Sequence, residues 1–129
     1  MIAFAAPDYE HTAIAVTRNF VGSPHIDHFD RTSQLAVALG DFEGGELCVD
    51  EDVPGGGSDV GDGSGTGMGG RALLRRTVAL VDTRKRVARV DGRCVHWVRD
   101  FRGAERFSLI FYNTNERQPE PIGPAVQPL

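Results

Sequence analysis

Residues 24–30 read Pro-His-Ile-Asp-His-Phe-Asp and place two histidines and two aspartates within seven positions. Side chains of these types rarely serve a core unless they have a specific partner, such as a metal ion. In a β-strand the side chains alternate between faces, so His25 and Asp27 would point to one side and Ile26 to the other. One imidazole and one carboxylate on the same face can bind a metal ion from one direction, and the site then needs a further ligand.

His96, between Val95 and Trp97, is the candidate for that ligand. A single histidine in such a position is most often structural. Here Arg106 follows ten residues later and Ser108 two residues after that, on one face of the last predicted strand. Two histidines and one carboxylate form a facial triad, which leaves adjacent positions on Fe(II) open for a chelating cosubstrate and dioxygen.

The ordered set of His-x-Asp at 25–27, His96 and Arg-x-Ser at 106–108 resembles the hallmark residues of the 2-oxoglutarate and Fe(II)-dependent dioxygenases. The catalytic core of that family is a double-stranded β-helix, a jelly-roll barrel of the cupin-like kind. The run SQLAVALGDFEGGEL, residues 33–47, is also similar to a segment that follows His-x-Asp in one microbial and algal branch. The resemblance covers about residues 12–114.

The resemblance implies a catalytic centre in which His25, Asp27 and His96 bind Fe(II). It also implies that Arg106 and Ser108 bind the cosubstrate 2-oxoglutarate. A planar guanidinium suits this role because it stays charged when partly buried and can hold a carboxylate by two hydrogen bonds. The implied reaction is the oxidation of an unidentified substrate, with hydroxylation as the expected outcome and with release of succinate and CO2.

Two neighbours of the triad need separate interpretations. His28 follows the predicted ligand pair, so we expect it at the rim of the pocket or behind the ligands and not on the metal. Many family members carry a tyrosine shortly before His-x-Asp, whose hydroxyl reaches the cosubstrate. This chain has Phe20 in the corresponding stretch AVTRNF, and phenylalanine cannot supply that contact.

Short β-branched or aromatic runs separated by turn residues predict an all-β fold, a β-sandwich or jelly-roll barrel. Asp-Gly at 91–92 and Arg-Gly at 102–103 are predicted turns between strands. The eight predicted strands lie near Thr12 to Thr17, Pro24 to Phe29, Gln34 to Leu39, Glu46 to Val49, Thr77 to Val81, Arg86 to Val90, Val95 to Val98 and Arg106 to Asn113.

The length of 129 residues predicts a single domain. Residues 1–114 are the expected dioxygenase core. Within it, residues 54–70 hold nine glycines and almost no apolar side chains, which predicts a flexible loop. The proline-rich tail, residues 115–129, is expected to be disordered.

Charge and cysteine content narrow the functional classes. The net charge is only −4, although residues 41–62 hold eight acids and no base while residues 71–106 hold eleven of the fourteen basic residues. This asymmetry leaves an anionic substrate such as nucleic acid open but gives it no support.

Cys48 and Cys94 are too few for a disulfide framework and lack C-x-x-C spacing, so we expect a cytoplasmic protein with reduced thiols and no membrane partner.

Two other interpretations stay open. Only about eleven residues precede the first predicted strand, so the helices that usually cover one sheet of such a barrel are missing. A partner or a second copy of the chain could cover that face, and the chain could be a truncated or catalytically inactive barrel that acts as a binding module. A cupin-type metal protein is the other alternative, but it would use three histidines and a glutamate, and the chain lacks a His-x-His element.

Overall fold

The computed structural model describes residues 5–52, 77–115 and 118–129. These residues form ten β-strands whose sheet pairings are all antiparallel, which confirms the all-β prediction. The predicted glycine-rich loop at 54–70 lies outside the described residues. The strands are β1 (Ala13–Arg18), β2 (Gln34–Leu39), β3 (Phe42–Gly44), β4 (Leu47–Asp50), β5 (Val78–Val81), β6 (Ala88–Val90), β7 (His96–Val98), β8 (Phe101–Gly103), β9 (Phe107–Tyr112) and β10 (Val126–Gln127).

The strands form a five-stranded sheet in the order β1-β9-β2-β6-β10, a three-stranded sheet β5-β4-β7 and a two-stranded sheet β3-β8. The core draws residues from both larger sheets, an arrangement compatible with a β-sandwich. In the described ranges no helix is long and apolar enough to cross a membrane. The buried core residues are Ala36, Leu47, Val49, Val90, Cys94 and Ala125.

One long antiparallel ribbon joins the two larger sheets. The chain from β2 through β3 to β4 pairs with the chain from β7 through β8 to β9, from Leu39 opposite Phe107 to Val49 opposite His96. Gly103 bends this ribbon with a φ of 137°, and a Cβ there would lie 2.4 Å from the Asp41 carbonyl oxygen. The predicted turn at 102–103 is therefore wrong, because these residues continue the ribbon as part of β8.

Seven of the eight predicted runs overlap strands, and the run from Pro24 to Phe29 does not. Within it only His25 pairs, through an isolated bridge to His96 with N–H to carbonyl distances of 3.0 and 2.9 Å. Pro24 has no N–H to donate, and residues 28–29 form a turn, so pairing cannot extend in either direction. The bridge still places His25 beside the edge of the three-stranded sheet.

The described part of the tail, residues 118–129, packs against the protein, so the prediction of a disordered tail is wrong there. Val126 pairs with Val90 on β6, and Ala125 is buried in the core. The prolines do not prevent this packing, because the donors are supplied by other residues: the Asp91 amide donates to the Ala125 carbonyl at 2.8 Å, and the Arg93 side chain donates to tail carbonyls.

The outer face of the five-stranded sheet is covered in part by the N-terminal segment of the same chain. The Tyr9 hydroxyl lies 2.8 Å from the Ser33 carbonyl oxygen and 2.9 Å from that of Phe111, so it crosses from β2 to β9. Ile14 and Val16 on β1 remain exposed. Coverage of these two side chains by a partner or a second copy stays a prediction.

A buried ion pair holds the turn between β6 and β7. Asp91 and Arg93 share two side-chain hydrogen bonds of 2.8 Å, and the Asp91 side chain is fully buried. Burial by itself raises the pKa of the Asp91 carboxyl, but hydrogen bonds from the Arg93 side chain and from the Gly123 and Arg93 amides outweigh burial and hold this pKa below its ordinary value. The Cys94 amide closes the turn on the Asp91 carbonyl at 3.0 Å, as predicted for Asp-Gly.

We predict that Arg93→Ala lowers the free energy of unfolding by about 3 to 5 kcal/mol, because it leaves the Asp91 carboxylate buried without its partner. Chemical denaturation at pH 7 measures this. Arg102→Ala is the control: its pair with Glu43 is 85% and 75% exposed and should contribute less than about 1 kcal/mol. The folded pKa of Asp91 is lowered, so the pair stabilises fully above about pH 4 and its contribution is lost as the pH falls further. Equal effects of the two variants would contradict the prediction.

Candidate metal centre

The structure brings the three predicted ligands together. His25, Asp27 and His96 each offer one ligand atom, and these atoms lie within 4.8 Å of one another. The Asp27 carboxylate reaches both rings, with Oδ1 3.8 Å from Nε2 of His25 and Oδ2 3.4 Å from Nε2 of His96. Two imidazoles and one carboxylate could therefore hold a metal ion at this point.

Both histidine rings are oriented by backbone carbonyls. Nδ1 of His25 lies 2.8 Å from the Ser23 carbonyl oxygen, and Nδ1 of His96 lies 2.9 Å from that of Cys94. A carbonyl oxygen only accepts hydrogen bonds, so each Nδ1 must carry the proton. In the neutral rings the lone pair is then on Nε2, the atom that faces the Asp27 carboxylate, which is the arrangement that metal-binding histidines require.

The turn from Asp91 to Cys94 supports two of the three candidate ligands. Its Gly92 carbonyl accepts from the Asp27 amide at 2.8 Å, and its Cys94 carbonyl orients His96. Gly92 also lies against the site. A Cβ atom at this position would lie only 2.7 Å from Oδ2 of Asp27, so there is no room for a side chain. The missing side chain at position 92 therefore allows the carboxylate to stand where it does.

Asp30 adds a second carboxyl beside the triad. It is buried, and its Oδ2 has no hydrogen-bond partner among the described residues. Burial first, and then the nearby Asp27 carboxylate, raise the pKa of Asp30 to about 7, although His96 and Arg93 act against this rise. A cation bound by Asp27 would face this carboxyl as well, since both carboxylates approach the same face of Gly92.

Protonation of His96 competes with metal binding. Burial lowers the pKa of this imidazole, but contacts with the Asp27 carboxylate and the Cys94 carbonyl outweigh burial and raise it above its ordinary value. A histidine must lose its Nε2 proton to bind a metal, so the affinity of the site for a cation should fall as the medium becomes more acidic.

A cavity of about 490 Å³ contains all five predicted site residues, with His25, Asp27 and His96 in one part of its lining and Arg106 with Ser108 in another. Its remaining walls come from both larger sheets and are mostly apolar, including Ala36 and Ile110. The triad and the predicted cosubstrate residues therefore line one cavity, which is open to solvent on one side. Three exposed aromatic or imidazole side chains, Phe20, His28 and Phe29, also line it, which agrees with a rim position for His28.

Arg106 carries a buried charge without a counter-ion. It is 2% exposed, and none of the ion pairs among the described residues includes it. Its Nη1 donates to Ser108 Oγ at 2.6 Å and its Nη2 to the Gly45 carbonyl at 2.9 Å, while its Nε is buried without a partner. Burial lowers the pKa of this guanidinium, and Glu46 opposes that shift. A guanidinium stays charged even so, and an anion in the cavity would provide the ion pair that Arg106 does not make with the described residues.

The two cysteines are buried free thiols near this region. Burial raises the pKa of both thiols, that of Cys94 to about 11. These thiols therefore favour the protonated form at neutral pH, which is less nucleophilic than the thiolate.

No protein-family model, no curated protein and no solved structure matches this chain. Residue types and spacing pointed to the triad and Arg106, but gave no sign that Gly92, Gln34 and Asp30 lie beside Asp27. The Asp-Gly dipeptide signalled a turn at 91–92, but nothing in it indicated which side chains would approach that turn.

We predict that Gly92→Ala lowers the affinity for Mn(II) by about tenfold, because the new methyl group displaces the Asp27 carboxylate. The melting temperature should change little, since the crowded atoms, which also include Gln34 Nε2 at 2.7 Å, are ends of side chains that can move. Calorimetric titration with Mn(II) and thermal unfolding of the same samples test both statements. An unchanged Mn(II) affinity would show that the absence of a side chain at Gly92 does not determine the position of the Asp27 carboxylate.

We predict that His96→Ala abolishes tight binding of Mn(II) or Fe(II), because it removes one of three ligand atoms. His28→Ala is the matched control, since His28 lines the same cavity and stands outside the cluster of ligand atoms. Its affinity should equal that of the parent. Tight binding by His96→Ala would remove His96 from the metal centre.

Proposed function

We propose that this chain is a 2-oxoglutarate and Fe(II)-dependent dioxygenase. The observation that carries the proposal is the presence, in one cavity, of a His-Asp-His cluster and a buried arginine without a counter-ion. The cluster suits a metal ion that keeps open positions, and the arginine suits the far carboxylate of a cosubstrate that chelates the metal through its other end.

We further propose that the sandwich is a jelly roll, the double-stranded β-helix expected of this class. In a jelly roll a long antiparallel ribbon of eight strands folds over, so the first strand pairs with the last, the second with the seventh, and so on. Here β1 pairs with β9, His25 bridges to β7, β2 pairs with β6, and β4 pairs with β5. If the bridge at His25 stands for the second strand, this nested order supports the jelly-roll assignment.

The donor set fits Fe(II). Nε2 of His25, Nε2 of His96 and one Asp27 oxygen would hold the ion, with the Nδ1 protons fixed on backbone carbonyls. When bound, Fe(II) and 2-oxoglutarate would supply the chemistry, in which dioxygen is consumed, 2-oxoglutarate becomes succinate and CO2, and the substrate is oxidised. The chain would then bind the metal and the cosubstrate, orient them and exclude water.

The roles of the remaining residues follow from their surroundings. Arg106 has three N–H groups, on Nε and on each terminal nitrogen, that donate to no acceptor among the described residues, which is enough for a two-point contact with a carboxylate. Ser108 accepts from Arg106 and so keeps its own proton for a second acceptor. The apolar cavity walls limit water around this contact, which strengthens it.

We predict that Arg106→Gln weakens 2-oxoglutarate binding to the Mn(II)-loaded protein by about 2 to 5 kcal/mol, because the carboxylate loses its cation. Arg106→Lys should cost less, since it keeps the charge and loses the planar double contact. Ser108→Ala should cost about 1 kcal/mol. Calorimetric titration with 2-oxoglutarate measures all three, and Mn(II) affinity measured on the same proteins should stay at the parental value.

Catalysis itself is tested by succinate formation from Fe(II), 2-oxoglutarate and dioxygen. Succinate production by the parent and its loss in His96→Ala would support the dioxygenase. Metal binding without any 2-oxoglutarate binding would contradict the proposal and favour a non-catalytic binding module on the same barrel.

A further inference from the structure

The Thr17 hydroxyl is a buried polar group, and nothing described above gives it a function. Its Oγ1 is shielded from solvent and has no hydrogen-bond partner among the described residues. A buried hydroxyl without a partner costs free energy, so a native protein keeps one where something else completes it. Thr17 lines the same cavity as Arg106 and Ser108, so a ligand in that cavity can reach it.

The strand register places Thr17 next to the cation. Thr17 on β1 lies directly opposite Ser108 on β9, and Ser108 accepts from Arg106 Nη1. Directly opposite side chains on one face of an antiparallel pair have Cβ atoms about 5 Å apart. The end of this pair is held by Asn19, whose amide donates to the Arg106 carbonyl and whose Oδ1 accepts from the Arg106 amide at 2.8 Å.

These groups have one chemical property in common. The free N–H groups of Arg106 and the hydroxyl protons of Ser108 and Thr17 are all donors, and within the described residues they have no acceptor. A group that only accepts and carries negative charge suits such donors, and a carboxylate is the simplest one, with two oxygens that together offer about four acceptor positions. We propose that Thr17 is a third binding residue for the far carboxylate of the cosubstrate, beside Arg106 and Ser108.

This assignment rests on the proposed function, because it takes the anion to be the second carboxylate of 2-oxoglutarate. It also places a hydroxyl on β1, a few residues before Phe20, which has no hydroxyl to offer. Thr17 would be needed only for ligands that carry the second carboxylate. Binding at the metal would not depend on it.

The test is Thr17→Val, which replaces the hydroxyl by a methyl group of similar size. With the Mn(II)-loaded protein, 2-oxoglutarate affinity should fall about tenfold, as expected for one hydrogen bond to a charged group. The affinity for pyruvate, a 2-oxo acid without the second carboxylate, should be unchanged. Thr17→Ser keeps the hydroxyl and should restore 2-oxoglutarate affinity, and Thr77→Val, at an exposed threonine outside the cavity, should equal the parent.

A stability measurement separates binding from a structural role. Without ligand, Thr17→Val should melt at the same temperature as the parent or higher, because it removes a buried hydroxyl that lacks a partner. If Thr17→Val binds 2-oxoglutarate as the parent does while Arg106→Gln does not, the role of Thr17 is overturned and the dioxygenase proposal stands. An equal loss for pyruvate, or a lower melting temperature, also overturns it. If the parent binds no 2-oxoglutarate, the proposed function itself fails.

Discussion

The buried pair of Asp91 and Arg93 is the interaction on which the candidate site depends. It fixes the turn whose carbonyls bond the Asp27 amide and the His96 ring, so two of the three candidate ligands take their positions from it. The same pair also holds the tail. The Gly123 amide donates a hydrogen bond to the Asp91 carboxylate, and the Arg93 side chain donates to carbonyl oxygens of the tail. A charge pair this deep tolerates little movement, since separation would leave two desolvated charges unpaired. The candidate metal ligands thus depend on a buried pair that itself contributes no ligand.

The second constraint is the bent ribbon that runs from β2 to β4 and from β7 to β9. Its register shifts by one residue between the β2–β9 and β3–β8 pairings, and it carries His96 in one sheet and Ser108 in the other on the same length of chain. Glycines with positive φ bend it where any side chain would strike the opposite backbone, as at Gly40, where a Cβ would lie 2.3 Å from the Glu105 carbonyl oxygen. The distance between the metal end and the arginine end of the cavity is therefore a property of the fold.

The cavity is lined by two groups of ionisable side chains, and each group would be stabilised by a bound ion of opposite charge. At one end, Asp27 and Asp30 bring carboxyls close together, and the raised pKa of Asp30 reflects burial and this neighbour. At the other end, Arg106 is buried with donors and no anion. A cation at the first end and an anion at the second would relieve both, and a chelating 2-oxo dicarboxylate on a metal ion joins them in one ligand set.

The sequence by itself indicated the all-β class and most strand positions, because the alternation of apolar and polar residues is a local property of the chain. It indicated the triad and Arg106 through their resemblance to the hallmark residues of a known family and not through alternation, since residues 24–29 form no strand. It misjudged the tail, since Ala125 and β10 gain their order from a core and an edge strand that are distant in sequence.

Only the tertiary structure decided what surrounds the site. It brought Gly92 against Asp27, set Thr17 opposite Ser108 and buried Arg106 where it forms no ion pair with a carboxylate of the described residues. These relations depend on strand register and on which backbone approaches which side chain. Composition and spacing do not encode them in any readable form, because each joins segments separated by more than sixty residues.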